Sequence, residues 1–225
     1  MSAAFVAPAP WFPLPARLAV LLSGRGSNFE ALAAGCDSGV VPGRVVSVIS
    51  DNPDAGGLGR ARERGLRAAA IARTAFSSRA DHEAAIEAEL RETEPDLICL
   101  AGFMRILSPA FCGRWSLRML NIHPSLLPAF GGLDAQRQAL DWGVRVSGAT
   151  VHFVDAGVDS GPIVEQEAVP VQAGDDEQAL ARRILAVEHR LYPRAVAHVL
   201  LGNWRIVGRR LEFGERNPSF EGLSR

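Results

Sequence analysis

From Arg17 onward, short apolar runs alternate with stretches of helical periodicity, and this alternation restricts the possible folds more than any other feature of the chain. LAVLL (18–22), VVSVIS (45–50), the weaker RAAAIA (67–72) and DLICLAG (96–102) read as buried strands. Between the first two, Phe29, Leu32, Ala33 and Cys36 recur at helical spacing; further helical segments lead to Gly65 and cover Ala80 to Glu92. Strands joined by crossover helices make an α/β sheet. LRMLNIHPS (117–125) starts as another strand and stops at Pro124. After a helix near Leu133 to Trp142, the alternating ATVHFV (149–154) predicts a more exposed, antiparallel strand, with GPIVEQEAVPV (161–171) next. Asp175 to Gln178 resembles a capping box. Leu180, Ile184, Val187 and Leu191 form the apolar face of a last helix, flanked by Glu188 and ended by Pro193. The predicted sheet is mixed: mostly parallel and twisted, with antiparallel elements in its carboxyl-terminal half.

A chain of 225 residues with 48% hydrophobic and 22% charged residues suits one globular domain with a substantial core. No internal repeat or linker divides it, so residues 16–225, tail included, are expected to form a single domain. Residues 1–15, MSAAFVAPAPWFPLP, read as a flexible extension; their prolines and the lack of a basic start disfavour a secretory signal. Trp11 and Phe12 leave open a second reading, in which the extension packs on the domain or on a partner. A formal net charge of -1 gives no global attraction to nucleic acid or to an acidic membrane, although local basic groups could hold one phosphate. No apolar run is long enough to span a bilayer. Cys36, Cys99 and Cys112 lack metal-ligand spacing, and an odd number of thiols fits a reducing, cytoplasmic setting.

The turn Gly24-Arg25-Gly26-Ser27-Asn28 can aim backbone N–H groups at a phosphate in front of a helix. Phe29 stands where a dinucleotide fingerprint would have its third glycine, so a mononucleotide phosphate fits better; an ordinary tight turn and helix cap is the other reading. Asn121 and His123 flank Ile122, so their side chains share one face near the carboxyl end of a strand, where open α/β sheets bind ligands. His123 could equally be a structural, hydrogen-bonded histidine. Asp159, in DAGVDSGP (155–162), could reach His123 and orient it, or serve only as a turn former.

Four runs, LLSGRGSN, LAGFMRILSP, NIHPSLLP and DSGPIVEQEAVPV, resemble in this order the phosphoribosylglycinamide formyltransferase family of purine biosynthesis, from about Ala16 to Gly202. HPSLLP and the downstream Asp also occur in methionyl-tRNA formyltransferases and formyltetrahydrofolate hydrolases, so they specify formyl chemistry more than its acceptor. The resemblance implies a single-domain formyltransferase fold with a nucleotide-binding amino-terminal half, and direct attack of the glycinamide amine on 10-formyltetrahydrofolate without a metal. It assigns catalysis to Asn121, protonated His123 and Asp159. Gly26, Ser27, Asn28, Phe29 and Glu30 would hold the phosphate end of the nucleotide, and Glu188 its amino end. Arg79, Met104, Arg105, Ile106 and Leu107, with Asn121, Asp155 and Asp159, would hold the folate. The implied partners are these small molecules, with no nucleic acid or membrane, in a monomer or homodimer. The alternatives are a formyltetrahydrofolate hydrolase, a formyltransferase for another amine, and a non-catalytic folate or nucleotide sensor. Two positions depart from the family: Gln136 stands where a His is common, and Gly131-Gly132 where bacterial relatives often have Pro-Gly.

Overall fold

The computed structural model describes residues 5–214. The first four residues of the expected extension and residues 215–225 of the expected tail lie outside the described residues. In chain order the elements are β1 (Phe5–Val6), β2 (Ala16–Leu22), α1 (Ser27–Asp37), β3 (Gly43–Ser50), α2 (Gly56–Glu63), β4 (Ala68–Ala70), α3 (Arg79–Thr93), β5 (Leu97–Leu100), α4 (Pro109–Arg114), β6 (Met119–His123), α5 (Ala135–Asp141), β7 (Val146–Phe153), β8 (Ile163–Pro170), α6 (Glu177–Leu201), β9 (Trp204–Val207) and β10 (Arg210–Phe213).

One sheet runs in the order β1-β9-β10-β8-β7-β6-β5-β2-β3-β4. The segment β4-β3-β2-β5-β6 is parallel, and β6, β7 and β8 pair antiparallel, so the sheet is mixed as expected. The uniform apolarity of β2 has a physical cause in this arrangement. Leu18, Val20 and Leu22 face one core with Phe29, Leu32, Leu58, Leu180 and Leu191, whereas Ala19 and Leu21 face a second with Ile86, Leu90 and Phe111. Both faces are covered by helices, so alternation has no wet side to serve. From β2 the chain winds one way through β3 and β4 and the other way through β5 and β6. This reversal opens a crevice at the carboxyl ends of β2 and β5.

Four local expectations change, the first at β7: expected to be more exposed, it is buried from Ser147 to Phe153 because helix α6 covers it. Helix α6 does not stop at Pro193 but runs to Leu201. The lost hydrogen bond and the ring clash cost about 3 kcal/mol, whereas Val196, Val199 and Leu200 beyond it are fully buried and contribute about 1.5–3 kcal/mol each. The cap of α6 is Asp176, whose Oδ1 accepts from the Ala179 N–H at 2.7 Å. Asp175 instead accepts from the Gln172 N–H at 2.8 Å and pairs with Arg183.

Residues 5–15 lie against the domain rather than loosely ahead of it. The Ala7 N–H donates to the Trp204 carbonyl at 2.8 Å and the Trp11 N–H to the Leu200 carbonyl at 3.0 Å. Trp11 meets Phe5 and Trp204 edge-on, with centroids 5.2 and 5.4 Å away. Gly202 permits this approach: a Cβ there would sit 1.8 Å from the Pro8 carbonyl oxygen.

Candidate active site

Strand β6 delivers Asn121 and His123 to one face, and the segment after it is held tightly. Thr150 Oγ1 of β7 donates to the Ser125 carbonyl at 2.6 Å and accepts from the Leu127 N–H at 3.1 Å. Gln166 of β8 adds a bond to the Leu127 carbonyl at 2.8 Å. Residues 124–130 therefore fold back over β6 and bring the Phe130 carbonyl to 2.9 Å from His123 Nε2. On the other side of the ring, Nδ1 lies 3.3 Å from Oδ2 of Asp159.

Both imidazole nitrogens thus face oxygen acceptors, a geometry that only a doubly protonated ring satisfies. Burial acts against that charge. It pulls the His123 pKa below the ordinary imidazole range, and Asp159 and the Phe130 carbonyl only partly offset it. Burial therefore opposes the protonated His123 implied by the resemblance, while the two oxygen acceptors favour it. Asp159 has φ +50, a left-handed conformation that Asp tolerates better than most residues. Burial alone would raise its carboxyl pKa; the nearby His152 ring, the hydrogen bond from the Gly132 N–H and His123 hold it below the usual range. The Gly132 N–H to Asp159 Oδ2 distance is 2.8 Å.

His152, which the sequence reading did not single out, completes the cluster. The β6–β7 register sets it opposite Asn121. Its Nδ1–H donates to the Phe153 carbonyl at 2.8 Å, so in the neutral ring Nε2 accepts from Asn121 Nδ2 at 3.2 Å. The same Nε2 is 3.5 Å from Asp159 Oδ1. Asn121 keeps one amide hydrogen for a ligand.

These residues form part of the wall of a cavity of about 620 Å³ that also includes Gly102 to Leu107, Gly132 to Gln136 and Asp155. Met104 and Ile106 are 62% and 65% exposed, which gives the cavity an apolar rim. Asp155 shapes its own loop: Oδ1 accepts from the Gly157 N–H at 3.1 Å and from Ser160 Oγ at 2.6 Å.

The glycine turn lies outside this wall. Gly26 has φ +80, and a Cβ on it would come within 2.6 Å of Gly57 Cα, so the turn nests against the start of α2. Asn28 is buried and donates to Glu188 Oε2 at 2.8 Å. Burial raises the Glu188 carboxyl pKa, with Asn28 opposing. Glu188 is thus next to the turn. Among the described residues, no group of three or more His, Cys, Asp or Glu side chains is arranged to hold a metal ion, and no helix is long and apolar enough to cross a membrane.

Residues 16–196 match the profile of the family described as Formyl transferase. The chain belongs to this family. Among formyl transferase relatives, it is 46% identical over 213 residues to the phosphoribosylglycinamide formyltransferase of Mycobacterium tuberculosis, covering 90% of this chain and 93% of that one. It is 48% identical over 188 residues to the trifunctional purine biosynthetic protein adenosine-3 of Drosophila melanogaster, which covers 83% of this chain but only 14% of that protein. The crystal structure of glycinamide ribonucleotide transformylase 1 from Symbiobacterium toebii superposes with a TM-score of 0.86 at 52% identity, covering 88% of this chain and 93% of that one.

Within this formyl transferase fold the expected site residues fall into three sets. Asn121, His123, Asp159, Asp155 and Met104 to Leu107 converge on the cavity. Gly26, Ser27, Asn28 and Glu188 gather at the neighbouring turn. The side chains of Phe29, Glu30 and Arg79 stand apart. Phe29 is fully buried in the core and can offer only its backbone N–H. Glu30 pairs with Arg64 at 3.2 Å, and its N–H is already bonded to the Gly26 carbonyl. Arg79 is half exposed, 3.9 Å from Glu83, and not among the cavity-lining residues. Of the two departures, Gly132 supplies the N–H that holds Asp159, and Gln136 lines the cavity.

Proposed function

We propose that this chain transfers the formyl group of 10-formyltetrahydrofolate to the amine of 5-phosphoribosylglycinamide, a step of purine biosynthesis. The observation that carries this reading is the convergence of Asn121, His123 and Asp159 on one cavity beside a glycine turn at a helix N-terminus. The names of the family members similar over nearly their whole length support the acceptor.

The cavity suits a flat, partly apolar donor: its rim is apolar, and the backbone of residues 104–107 can pair with a heterocycle edge. The turn at Gly26 to Asn28 suits the phosphate. A carboxylate repels a phosphate but accepts from hydroxyls, so Glu188, next to Asn28, takes sugar hydroxyls better than it takes the amine. The amine then points toward His123.

Attack on the formyl carbon moves negative charge onto its oxygen, where the free amide hydrogen of Asn121 serves as donor; one such donor is worth about 2.7–4 kcal/mol in comparable sites. A proton released by the amine passes through water to the His123–Asp159 pair, and Asp159 stabilises the imidazolium so formed. The same ring returns a proton to the departing folate nitrogen. No covalent intermediate on the chain is needed.

The test is single turnover with both substrates, following the formylated nucleotide and tetrahydrofolate together. Equal, acceptor-dependent yields are expected. Loss of the formyl group at the same rate without the nucleotide would replace this reading with a hydrolase, and no turnover at all would leave a binding protein.

A further inference from the structure

We infer that Asp51 is a positioning residue that ties the 104–107 loop to the end of β2 and so joins the two halves of the site. Asp51 follows β3, its side chain is only 2% exposed, and it does not line the cavity. Its Oδ1 accepts from Ser23 Oγ at 2.5 Å, and its Oδ2 accepts from Arg105 Nε at 2.5 Å. Ser23 Oγ in turn accepts from the Met104 N–H at 2.8 Å.

A hydroxyl has one hydrogen. Because Ser23 gives its own to Asp51, its lone pairs are left to face Met104, and the carboxylate thereby sets the direction of a bond it does not itself make. One buried group thus reaches two successive residues of the loop, Arg105 directly and Met104 through Ser23. Ser23 is also the residue immediately before the glycine turn, and its N–H donates to the Gly102 carbonyl at 2.9 Å. The loop and the turn therefore share an anchor that does not line the cavity. Arg105 has a half-exposed side chain. Its guanidinium is held by Asp51, while Met104 to Leu107 line the cavity.

The inference rests on the proposed reading of that backbone as the donor-binding edge, so the experiment has one arm that does not need the reaction. In Asp51→Asn, the amide fills the same space with one acceptor and one donor, and it sets an N–H against either Ser23 or Arg105. Hydrogen exchange at the Met104 amide in the free protein should accelerate about tenfold or more, as expected when a charge-assisted bond is lost. KM for the formyl donor should rise by about the same factor while kcat stays within about twofold, because Asp51 touches no reacting atom. Ser23→Ala cuts the same chain of bonds from its other end and must show the same pattern, which keeps the test open should Asp51→Asn not fold. Adding Asp51→Asn to Ser23→Ala should give no further acceleration at Met104, since the carboxylate acts there through the hydroxyl. Unchanged exchange in a folded variant, or faster exchange with unchanged donor KM, would overturn the inference. Faster exchange in a protein whose wild type transfers no formyl group would uphold the tie and sink the proposed reaction instead.

Discussion

Nδ1 of His123 lies 3.3 Å from Oδ2 of Asp159, while Nε2 of the same ring is 2.9 Å from the Phe130 carbonyl. The ring is therefore fixed at both ends, by a loop after β7 and by the segment after β6. If Asp159 acts on the reaction through this ring, the two residues behave as one unit. His123→Ala and Asp159→Ala should each slow single-turnover transfer by about 10²-fold or more, and the double variant should be scarcely slower than the worse single. Multiplied losses, with circular dichroism showing folded protein, would separate the two roles.

The same burial sets a pH dependence of stability. The folded pKa of His123 lies below its unfolded value, so between the two the unfolded chain binds more protons and stability rises with pH. His123 therefore costs stability as pH falls below about 6.5, the ordinary imidazole value. Asp159, with a depressed pKa, adds stability above the ordinary carboxylate range and loses it only as pH falls through its folded pKa. Urea midpoints from about pH 8 to pH 5 should fall less steeply for His123→Asn than for wild type. Identical slopes would show that His123 is not held neutral by burial.

Glu188 should show opposite effects on stability and use. Its raised folded pKa means that the folded chain binds the extra proton, so the ionised carboxylate is a cost at neutral pH. Glu188→Gln keeps the acceptor for Asn28 and removes the charge. A gain of about 1 kcal/mol would raise Tm by about 2–4 °C. Acceptor KM should rise about tenfold, with donor affinity unchanged. Calorimetry and steady-state kinetics on one preparation check both signs, and a fall in donor affinity alone would move Glu188 to the folate side.

Two glycines of one turn should differ sharply. Gly24 has open space where a side chain would go, whereas a Cβ at Gly26 would meet Gly57 Cα at 2.6 Å, and its φ is +80. Gly24→Ala should leave unfolding within about 0.5 kcal/mol of wild type. Gly26→Ala should cost about 1–3 kcal/mol from its backbone angle alone, with more from the contact, and should weaken nucleotide binding. Equal tolerance at both positions would mean that the turn is not locked against α2.

The parallel half of the sheet was legible because its strands are buried on both faces and stand out as unbroken apolar runs, and β6 because Asn121 and His123 interrupt such a run just before a proline. Helix α4 escaped notice: its six residues are too few to show a period, and its start is set by Ser108 accepting from the Phe111 N–H. His152 was visible only as the polar residue in ATVHFV. Its place opposite Asn121 depends on the β6–β7 register, which no local spacing encodes. Pro193 does not end α6 because the two turns beyond it are buried, a tertiary effect that no residue near the proline encodes. The position of Glu188 beside Asn28 is a contact between α6 and α1, again invisible in the order of residues.

Strands β1 and β9 lie side by side at one edge of the sheet, with Phe5 paired to Ile206. The described chain therefore enters at β1 and leaves at β10, the two strands that flank β9 at one edge of the sheet, with β8 and β7 between them and β6. Such a unit can be spliced into a longer polypeptide like a loop on a thread, with both connections on one flank and the crevice between β2 and β5 left facing solvent. In the Drosophila relative the matching stretch is a small part of a much longer protein. A circular permutant closed by a short linker from the end of β10 to Phe5, and reopened at an exposed turn such as Gly143, should keep the same sheet order and the same fluorescence of the Trp11–Trp204 pair.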